Sequence, residues 1–155
     1  MTCKRQLTVF ITLIFAILLS AGALAACSGV NTPATDPAGG NLAMASMDNM
    51  PGEVKSAPIV VQQAYRFAVA NPDVMKQIPC YCGCGKMGHT SNYACYVQSV
   101  DDTGEIAFDS HALGCSICVD ITLDTMRLLK QGKTIAEIAT AVDQTYSQYG
   151  PSNIP

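Results

Sequence analysis

Six cysteines lie between residues 80 and 118 of this chain, and their spacing points to thiolate chemistry. Three of them, Cys80, Cys82 and Cys84, alternate with other residues in a loop rich in glycine. A disulfide between residues i and i+2 strains the usual geometry of that bond, so at least two of these sulfurs need partners elsewhere or stay free. Alternate thiols in such a loop can instead turn toward one metal ion or bridge several ions.

A second cysteine pair, Cys115 and Cys118, stands at the start of a predicted helix. Residues i and i+3 share one helix face, so both sulfurs can aim at one point. The positive end of the helix favours thiolates there. The C-x-x-C spacing alone serves zinc, Cu(I), iron–sulfur and redox sites alike. With Cys95, which lies between the two motifs, the predicted metal ligands are Cys80, Cys82, Cys84, Cys95, Cys115 and Cys118.

The two histidines of the chain, His89 and His111, each lie beside a cysteine motif. This position makes them secondary candidates for metal ligands. The alternative is an ordinary structural or surface role. Neither cysteine motif is followed directly by histidine, which argues against covalently bound c-type haem.

Three methionines, Met44, Met47 and Met50, recur at every third position before the cysteine region. Thioether sulfur is a soft, uncharged ligand that suits Cu(I). The alternative is a linker that happens to contain methionine. Together with the clustered thiols, this run favours copper over zinc as the bound metal.

The first 26 residues have the pattern of an export signal. Lys4 and Arg5 precede an apolar run over residues 7–19, which is short for a membrane-spanning helix of about 20 residues. Small residues follow, and Leu24-Ala25-Ala26-Cys27 resembles a bacterial lipobox. That resemblance implies cleavage before Cys27 and lipid attachment to its sulfur, which would hold the protein on the extracytoplasmic face of the bacterial cell membrane. The alternative is ordinary signal cleavage with a free Cys27.

Removal of the signal leaves 7 basic and 12 acidic residues, a net charge of −5. An acidic chain without a basic patch is a poor candidate for binding nucleic acid. Residues 27–55 are rich in small and polar residues and are predicted to be a lipidated cysteine followed by a flexible linker. Residues 56–150 are predicted to form one cysteine-rich helical domain.

The spacing of apolar residues predicts a mainly α fold for that domain. A helix is expected over residues 56–70, with Ser56 or Ala57 as its N-cap. A short helix follows, with Asn71 as N-cap, and it ends at Pro79. These two helices deliver the cysteine loop.

Two longer helices are expected to form a C-terminal hairpin after the cysteine region. The first covers residues 115–131 and ends at Gly132. The second begins with the capping-box pair Thr134 and Glu137. Between the loop and this hairpin, a short helix in residues 91–98 is expected, followed by a loop or a small β-hairpin near residues 93–108. The alternative is a strand over residues 93–100 that pairs with a return strand over residues 105–108.

Pro79-Cys80-Tyr81-Cys82-Gly83-Cys84 resembles the motif of the PCYCGC family of bacterial secreted lipoproteins, whose function is largely uncharacterised. The resemblance runs from about residue 54 to residue 150. It includes His89, Cys95, Asp109 and His111, and the Cys115–Cys118 pair. It implies a secreted, lipid-anchored protein and says little about chemistry.

Residues 115–150 also resemble the thiol domain of cytochrome c maturation proteins. In both, a C-x-x-C motif precedes a helix hairpin that ends in Tyr-Gly, here Tyr149 and Gly150. The chain departs from that pattern at Leu113 and Gly114, where the other family has Leu-Arg. This departure argues against a role in haem maturation.

Three functions therefore remain open from the residues alone. The first is storage, buffering or delivery of Cu(I) or Zn(II) to an exported metalloenzyme, with a second ion or spare thiols because six thiolates exceed one tetrahedral site. The second is a domain stapled by disulfides. The third is thiol–disulfide exchange at Cys115 and Cys118, without the expected βαβ pattern. Since hydrolase and phosphate-binding motifs are lacking, we expect a binding protein rather than an enzyme.

Overall fold

The computed structural model of this chain describes residues 41–155. The predicted signal peptide (residues 1–26), the predicted lipid-attachment residue Cys27 and the first part of the predicted linker lie outside the described residues. Across residues 41–155, no helix combines the length and the apolar character needed to cross a membrane.

The described part of the chain is mainly helical, with one small antiparallel β-hairpin, so the predicted fold class is confirmed. Short 3₁₀ turns connect these elements and include one in the cysteine loop, Cys84–Met87. In chain order the helices and strands are α1 (Gly52–Ser56), α2 (Ile59–Ala70), α3 (Pro72–Met75), β1 (Val97–Val100), β2 (Ile106–Phe108), α4 (Ser116–Lys130) and α5 (Ile135–Tyr146).

Helix α2 begins three residues later than its sequence predicts. Pro58 takes the N-cap position with an extended backbone. Ser56 belongs to α1 instead, where its hydroxyl donates a hydrogen bond to the Gly52 carbonyl at 3.0 Å. The predicted apolar face is confirmed, and its buried residues are Val61, Ala64, Tyr65, Phe67 and Ala68.

The segment before α2, which the sequence assigns to a flexible linker, packs on the helical domain from residue 41 onward. Met50 and Val54 are only 3 % and 1 % exposed. The Ala45 amide donates to the Arg66 carbonyl at 3.0 Å, and Arg66 Nε donates back to the Ala45 carbonyl at 2.6 Å. Packed structure therefore extends upstream of the predicted boundary at residue 56, because these apolar side chains reach the core despite their irregular spacing.

Asn71 ends α2 and stands at the predicted N-cap position of α3, but its side chain makes no capping hydrogen bond to α3. Its side-chain amide donates instead to the carbonyls of Phe67 at 2.8 Å and Ala43 at 2.9 Å. Helix α3 is short, and Met75 and Ile78 are fully buried at its end. This buried anchor fixes the point from which the cysteine loop leaves.

The predicted short helical segment and the predicted β-hairpin both occur, one after the other, within residues 93–108. A 3₁₀ turn covers Tyr93–Cys95, and strands β1 and β2 follow as an antiparallel pair with Val97 opposite Phe108. The connecting turn is held by Asp101, whose carboxylate accepts hydrogen bonds from the backbone amides of Thr103 and Glu105. The hairpin therefore returns the chain to the cysteine region.

Helices α4 and α5 form the predicted hairpin, and α4 also packs against α2. The capping box is confirmed, because Thr134 and Glu137 exchange both hydrogen bonds. On α4, Ile121 is buried as expected, whereas Ile117, Leu128 and Leu129 are only partly buried. The buried face of α4 is instead shared with Cys118, Val119, Thr122 and Thr125. The face is partly polar because Thr122 contacts Asn92, Tyr96 and the Cys118 carbonyl.

Candidate metal centre

The cysteine loop begins at the buried end of α3 and folds back sharply on itself. Gly83 has a φ of 82°, a left-handed conformation that other residues rarely adopt. The turn at Gly83 brings Cys84 into the protein, where it is 1 % exposed, while Cys82 stays partly exposed. Cys80 is fully buried. The loop thus presents three thiols at different depths.

The structure brings the six predicted cysteines and one histidine into two groups, and within each group the ligand atoms lie within 4.8 Å of one another. We call these the inner group and the outer group. The inner group contains Cys80, Cys82, Cys84 and Cys95. The outer group contains Cys82, His111, Cys115 and Cys118. Each group can therefore hold a metal ion, and Cys82 belongs to both.

The sulfurs lie at distances close to those in a metal–thiolate site. Cys80 Sγ is 3.4 Å from Cys82 Sγ and 3.5 Å from Cys118 Sγ, and Cys82 Sγ is 3.6 Å from Cys118 Sγ. In the inner group, Cys84 Sγ and Cys95 Sγ are 3.7 Å apart. Tetrahedral zinc with Zn–S bonds of about 2.3 Å places its sulfurs about 3.8 Å apart. These four distances are therefore within a few tenths of an ångström of that value, and all six cysteines are free.

The two cysteines of the C-x-x-C motif lie at the start of α4 as predicted. Cys115 is the N-cap and Cys118 lies in the first turn. The Cys118 carbonyl accepts hydrogen bonds from Tyr96 Oη at 2.8 Å and from Asn92 Nδ2 at 3.3 Å. Tyr96, Asn92 and the adjacent Thr122 are all fully buried. This polar cluster fixes the first turn of α4 and with it the Cys118 thiol.

The two histidines have different positions, which the sequence could not distinguish. His111 Nε2 lies 3.4 Å from Cys82 Sγ and joins the outer group. His89 is not a member of either group, and its Nε2 lies 3.3 Å from the Asp109 carboxylate. The other oxygen of Asp109 accepts from the His111 backbone amide at 2.8 Å. His89 therefore supports the loop that carries His111, and the two rings meet edge to face with centroids 5.3 Å apart.

Asn153 is a site residue that the sequence gives no reason to select. Its side-chain oxygen accepts a hydrogen bond from the Cys80 amide at 2.7 Å, and its side-chain nitrogen donates to Cys84 Sγ at 3.5 Å. Its own amide donates to the Cys80 carbonyl at 3.1 Å. No motif marks an asparagine in an irregular segment, so its role becomes visible only when residues 73 positions apart come together.

Helix α5 and the segment after it hold the other side of the cysteine loop. Tyr81 Oη donates to the Asp143 carboxylate at 2.8 Å. Gly150 lies against the Tyr81 backbone so closely that a Cβ at Gly150 would stand 2.8 Å from the Tyr81 carbonyl oxygen. This close approach requires glycine at position 150.

Hydrogen bonds between the thiols, together with burial, give the cysteines of the cluster different pKa values. The thiols of Cys118 and Cys95 hold the pKa of Cys80 well below its ordinary value, because they donate to its thiolate. The hydrogen bond to Cys80 raises the pKa of Cys118, and burial raises it further. Burial is also the main cause of the raised pKa of Cys82.

The methionine run serves as packing rather than as an evident thioether site. Met50 is a core residue, and Met44 and Met47 pack against the same core. Flexible methionine side chains suit such irregular gaps. The preference for copper that was drawn from this run stays a prediction.

The fold and the site together define a small helical domain with a convergent cluster of sulfur ligands. Residues 13–155 match the family described as "Protein of unknown function with PCYCGC motif", and the chain belongs to this family. The predicted family is thus confirmed, and its motif is the loop that supplies half of the cysteines in the two groups. Comparison with curated proteins gives no match, and comparison with solved structures gives none either.

Proposed function

We propose that this protein binds Zn(II) or Cu(I) through its cysteine cluster and acts as a metal store, buffer or donor rather than as an enzyme. The main support is that seven residues of types that commonly bind metal form two groups. Within each group the ligand atoms lie within 4.8 Å of one another. Four of the six thiols involved are buried. A disulfide-stapled domain has no use for a histidine among its sulfurs, whereas three cysteines with one histidine are a common ligand set for zinc.

The ligand arrangement favours Zn(II) over Cu(I). Both groups offer four ligands, which matches the tetrahedral coordination of zinc, and the outer group combines three thiols with one imidazole. Cu(I) prefers soft ligands, and the near-equilateral triangle of Cys80, Cys82 and Cys118 sulfurs suits it. The preference for Zn(II) therefore rests on the outer group, because the imidazole of His111 is a less soft ligand than a thiolate and suits Zn(II) better than Cu(I).

The cellular setting of this proposal rests on the sequence. A lipid at Cys27 would anchor the protein at the extracytoplasmic face of the bacterial membrane, with the residues before the packed domain as a tether. In that place a thiolate cluster can receive metal that enters the compartment and pass it to an exported metalloenzyme. The same compartment also oxidises unprotected thiols, so bound metal would protect the cluster.

The test is anaerobic purification of the full chain in detergent, followed by elemental analysis and X-ray absorption at the edge of the bound metal. We expect zinc or copper with a coordination shell dominated by sulfur, and loss of that metal when Cys80 and Cys118 are replaced by serine. Lys130→Gln is the control, since Lys130 is exposed at the end of α4 and lies outside both groups. Protein that contains no metal and takes up none after reduction would overturn the proposal, and three disulfides in protein from its native compartment would favour the stapled domain.

A further inference from the structure

We infer that the cluster binds two ions that share the Cys82 thiolate as a bridge, and that the outer ion is the exchangeable one. This inference rests on the proposed metal binding and adds the number of ions, their connection and their order of release. Seven residues supply the two groups, and two tetrahedral ions need eight ligand positions. The shared residue provides the eighth position.

The position of Cys82 suits a bridging sulfur. On the inner side its Sγ lies 3.4 Å from Cys80 Sγ. On the outer side it lies 3.6 Å from Cys118 Sγ and 3.4 Å from His111 Nε2. A tetrahedral thiolate sulfur with two metal bonds of about 2.3 Å holds its ions about 3.8 Å apart, a separation that the neighbouring ligands can span.

Ionisation of all six cysteines requires two ions rather than one. With six thiolates, a single divalent ion would leave a net charge of −4, whereas two such ions leave −2, so with one ion the cysteines that do not bind it would stay protonated. Cys80, Cys84, Cys95 and Cys118 are no more than 1 % exposed, and uncompensated charge is costly at such depth. The hydrogen-bond partners of these four sulfurs within residues 41–155 are other thiols and Asn153, so Lys and Arg side chains do not supply the compensation.

Burial distinguishes the two sites. In the inner group Cys80, Cys84 and Cys95 are buried, and only the shared Cys82 reaches solvent. In the outer group Cys82, His111 and Cys115 are all partly exposed, and only Cys118 is buried. An incoming ligand can therefore attack the outer ion directly, whereas the inner ion is enclosed by the cysteine loop and by Asn153.

These differences assign separate roles to the two ions. The inner ion holds together the cysteine loop and the turn at Cys95, so it is retained as part of the fold. The outer ion is held by residues from the loop, from the turn at His111 and from the start of α4. A partner with thiolate or imidazole ligands can replace these one at a time and remove the outer ion without unfolding the inner site.

The experiment loads the full chain, reduced and in detergent, with ¹¹³Cd(II), which substitutes for zinc and is visible by NMR. We expect two ions per chain and two resonances, with the four-sulfur site downfield of the site that contains nitrogen. The two resonances should show scalar coupling to each other, because both ions bond to the Cys82 sulfur. Replacement of Cys82 by serine should remove this coupling.

The order of release is measured by adding a soluble chelator to the loaded protein. The resonance of the nitrogen-containing site should disappear first, and His111→Gln should speed its loss by about tenfold or more while the other resonance changes little. Lys130→Gln, at an exposed position at the end of α4, is the control and should behave as the unaltered protein. His111→Gln keeps all six thiols, so it tests the inference even if cysteine variants fail to fold.

The outcomes separate this inference from the proposed function. Absence of any cadmium uptake would contradict metal binding itself. Uptake of a single ion, two resonances without coupling, or simultaneous release of both ions would overturn the two-ion assignment while leaving metal binding in place.

Discussion

Replacement of Asn153 by alanine tests whether the segment that follows α5 supports the metal centre. Asn153 contacts the cysteine loop twice through its side chain, at the Cys80 amide and at Cys84 Sγ. The first contact exists with or without metal. Its loss leaves a buried amide unpaired, and the metal-free protein should lose about 1–3 kcal/mol of its free energy of unfolding.

The second contact should affect metal affinity. Metal binding converts Cys84 to a thiolate, and a hydrogen bond to a charged group contributes about 1.5–3 kcal/mol. Since about 1.4 kcal/mol corresponds to a tenfold change in a binding constant, Asn153→Ala should weaken zinc binding by about 10- to 100-fold. The same range is typical for the loss of residues that orient metal ligands.

Asn153→Asp separates the two contacts. The carboxylate still accepts the hydrogen bond from the Cys80 amide, so the metal-free protein should be more stable than Asn153→Ala. The same substitution, however, replaces the amide nitrogen that donates to Cys84 by a negatively charged oxygen. Because this oxygen repels the Cys84 thiolate, zinc affinity should fall further than in the alanine variant. Affinity is measured by competition with a chromophoric chelator, and stability by urea denaturation of the metal-free protein.

Gln148→Ala, at an exposed position in the same segment, serves as the control. If both Asn153 variants bind zinc within about twofold of the unaltered protein, the hydrogen bond to Cys84 has no influence on the bound state, and the reasoning from these contacts fails.

Three further predictions concern the surroundings of the cluster. Gly150→Ala should lower the thermal midpoint, because its Cβ would stand 2.8 Å from the Tyr81 carbonyl oxygen; an unchanged melting curve would contradict this close packing. The hydrogen bond from the Thr134 amide lowers the pKa of Glu137 to about 2 from 4.5, so stability present above pH 4.5 should be lost as the pH falls toward 2; denaturation curves of Glu137→Gln should lack this component. Metal removal should increase hydrogen exchange in residues 79–95 before it does so in α4 and α5, and equal protection in both regions would count against the proposed site.

The elements with strong local signals could be predicted from the sequence. The capping box at Thr134 and Glu137 and the start of α4 at Cys115 follow from short-range rules, and the structure has them where expected. The convergence of the six cysteines also followed, because their number and spacing left few alternatives to a common site.

Features that depend on tertiary contacts could not be predicted in this way. Asn71 has the local sequence of an N-cap, but its amide finds the carbonyls of Phe67 and Ala43 instead. Met50 lies in a stretch without periodicity, and only the shape of the core explains its burial. The choice of His111 over His89 depends on Asp109, which binds one ring and positions the backbone of the other.

The long-range contacts of the cysteine loop have a consequence for the time course of biosynthesis. Asn153 is 73 positions after Cys80, and Asp143 is 62 positions after Tyr81. At a synthesis rate of about 5–20 residues per second, the interval between the production of Cys80 and that of Asn153 is about 4 to 15 s. During that interval the thiols of the loop lack their closing contacts and are open to oxidants and to any available metal. Which partner reaches them first is therefore a kinetic question, and an early ion can be trapped when the later residues close over it.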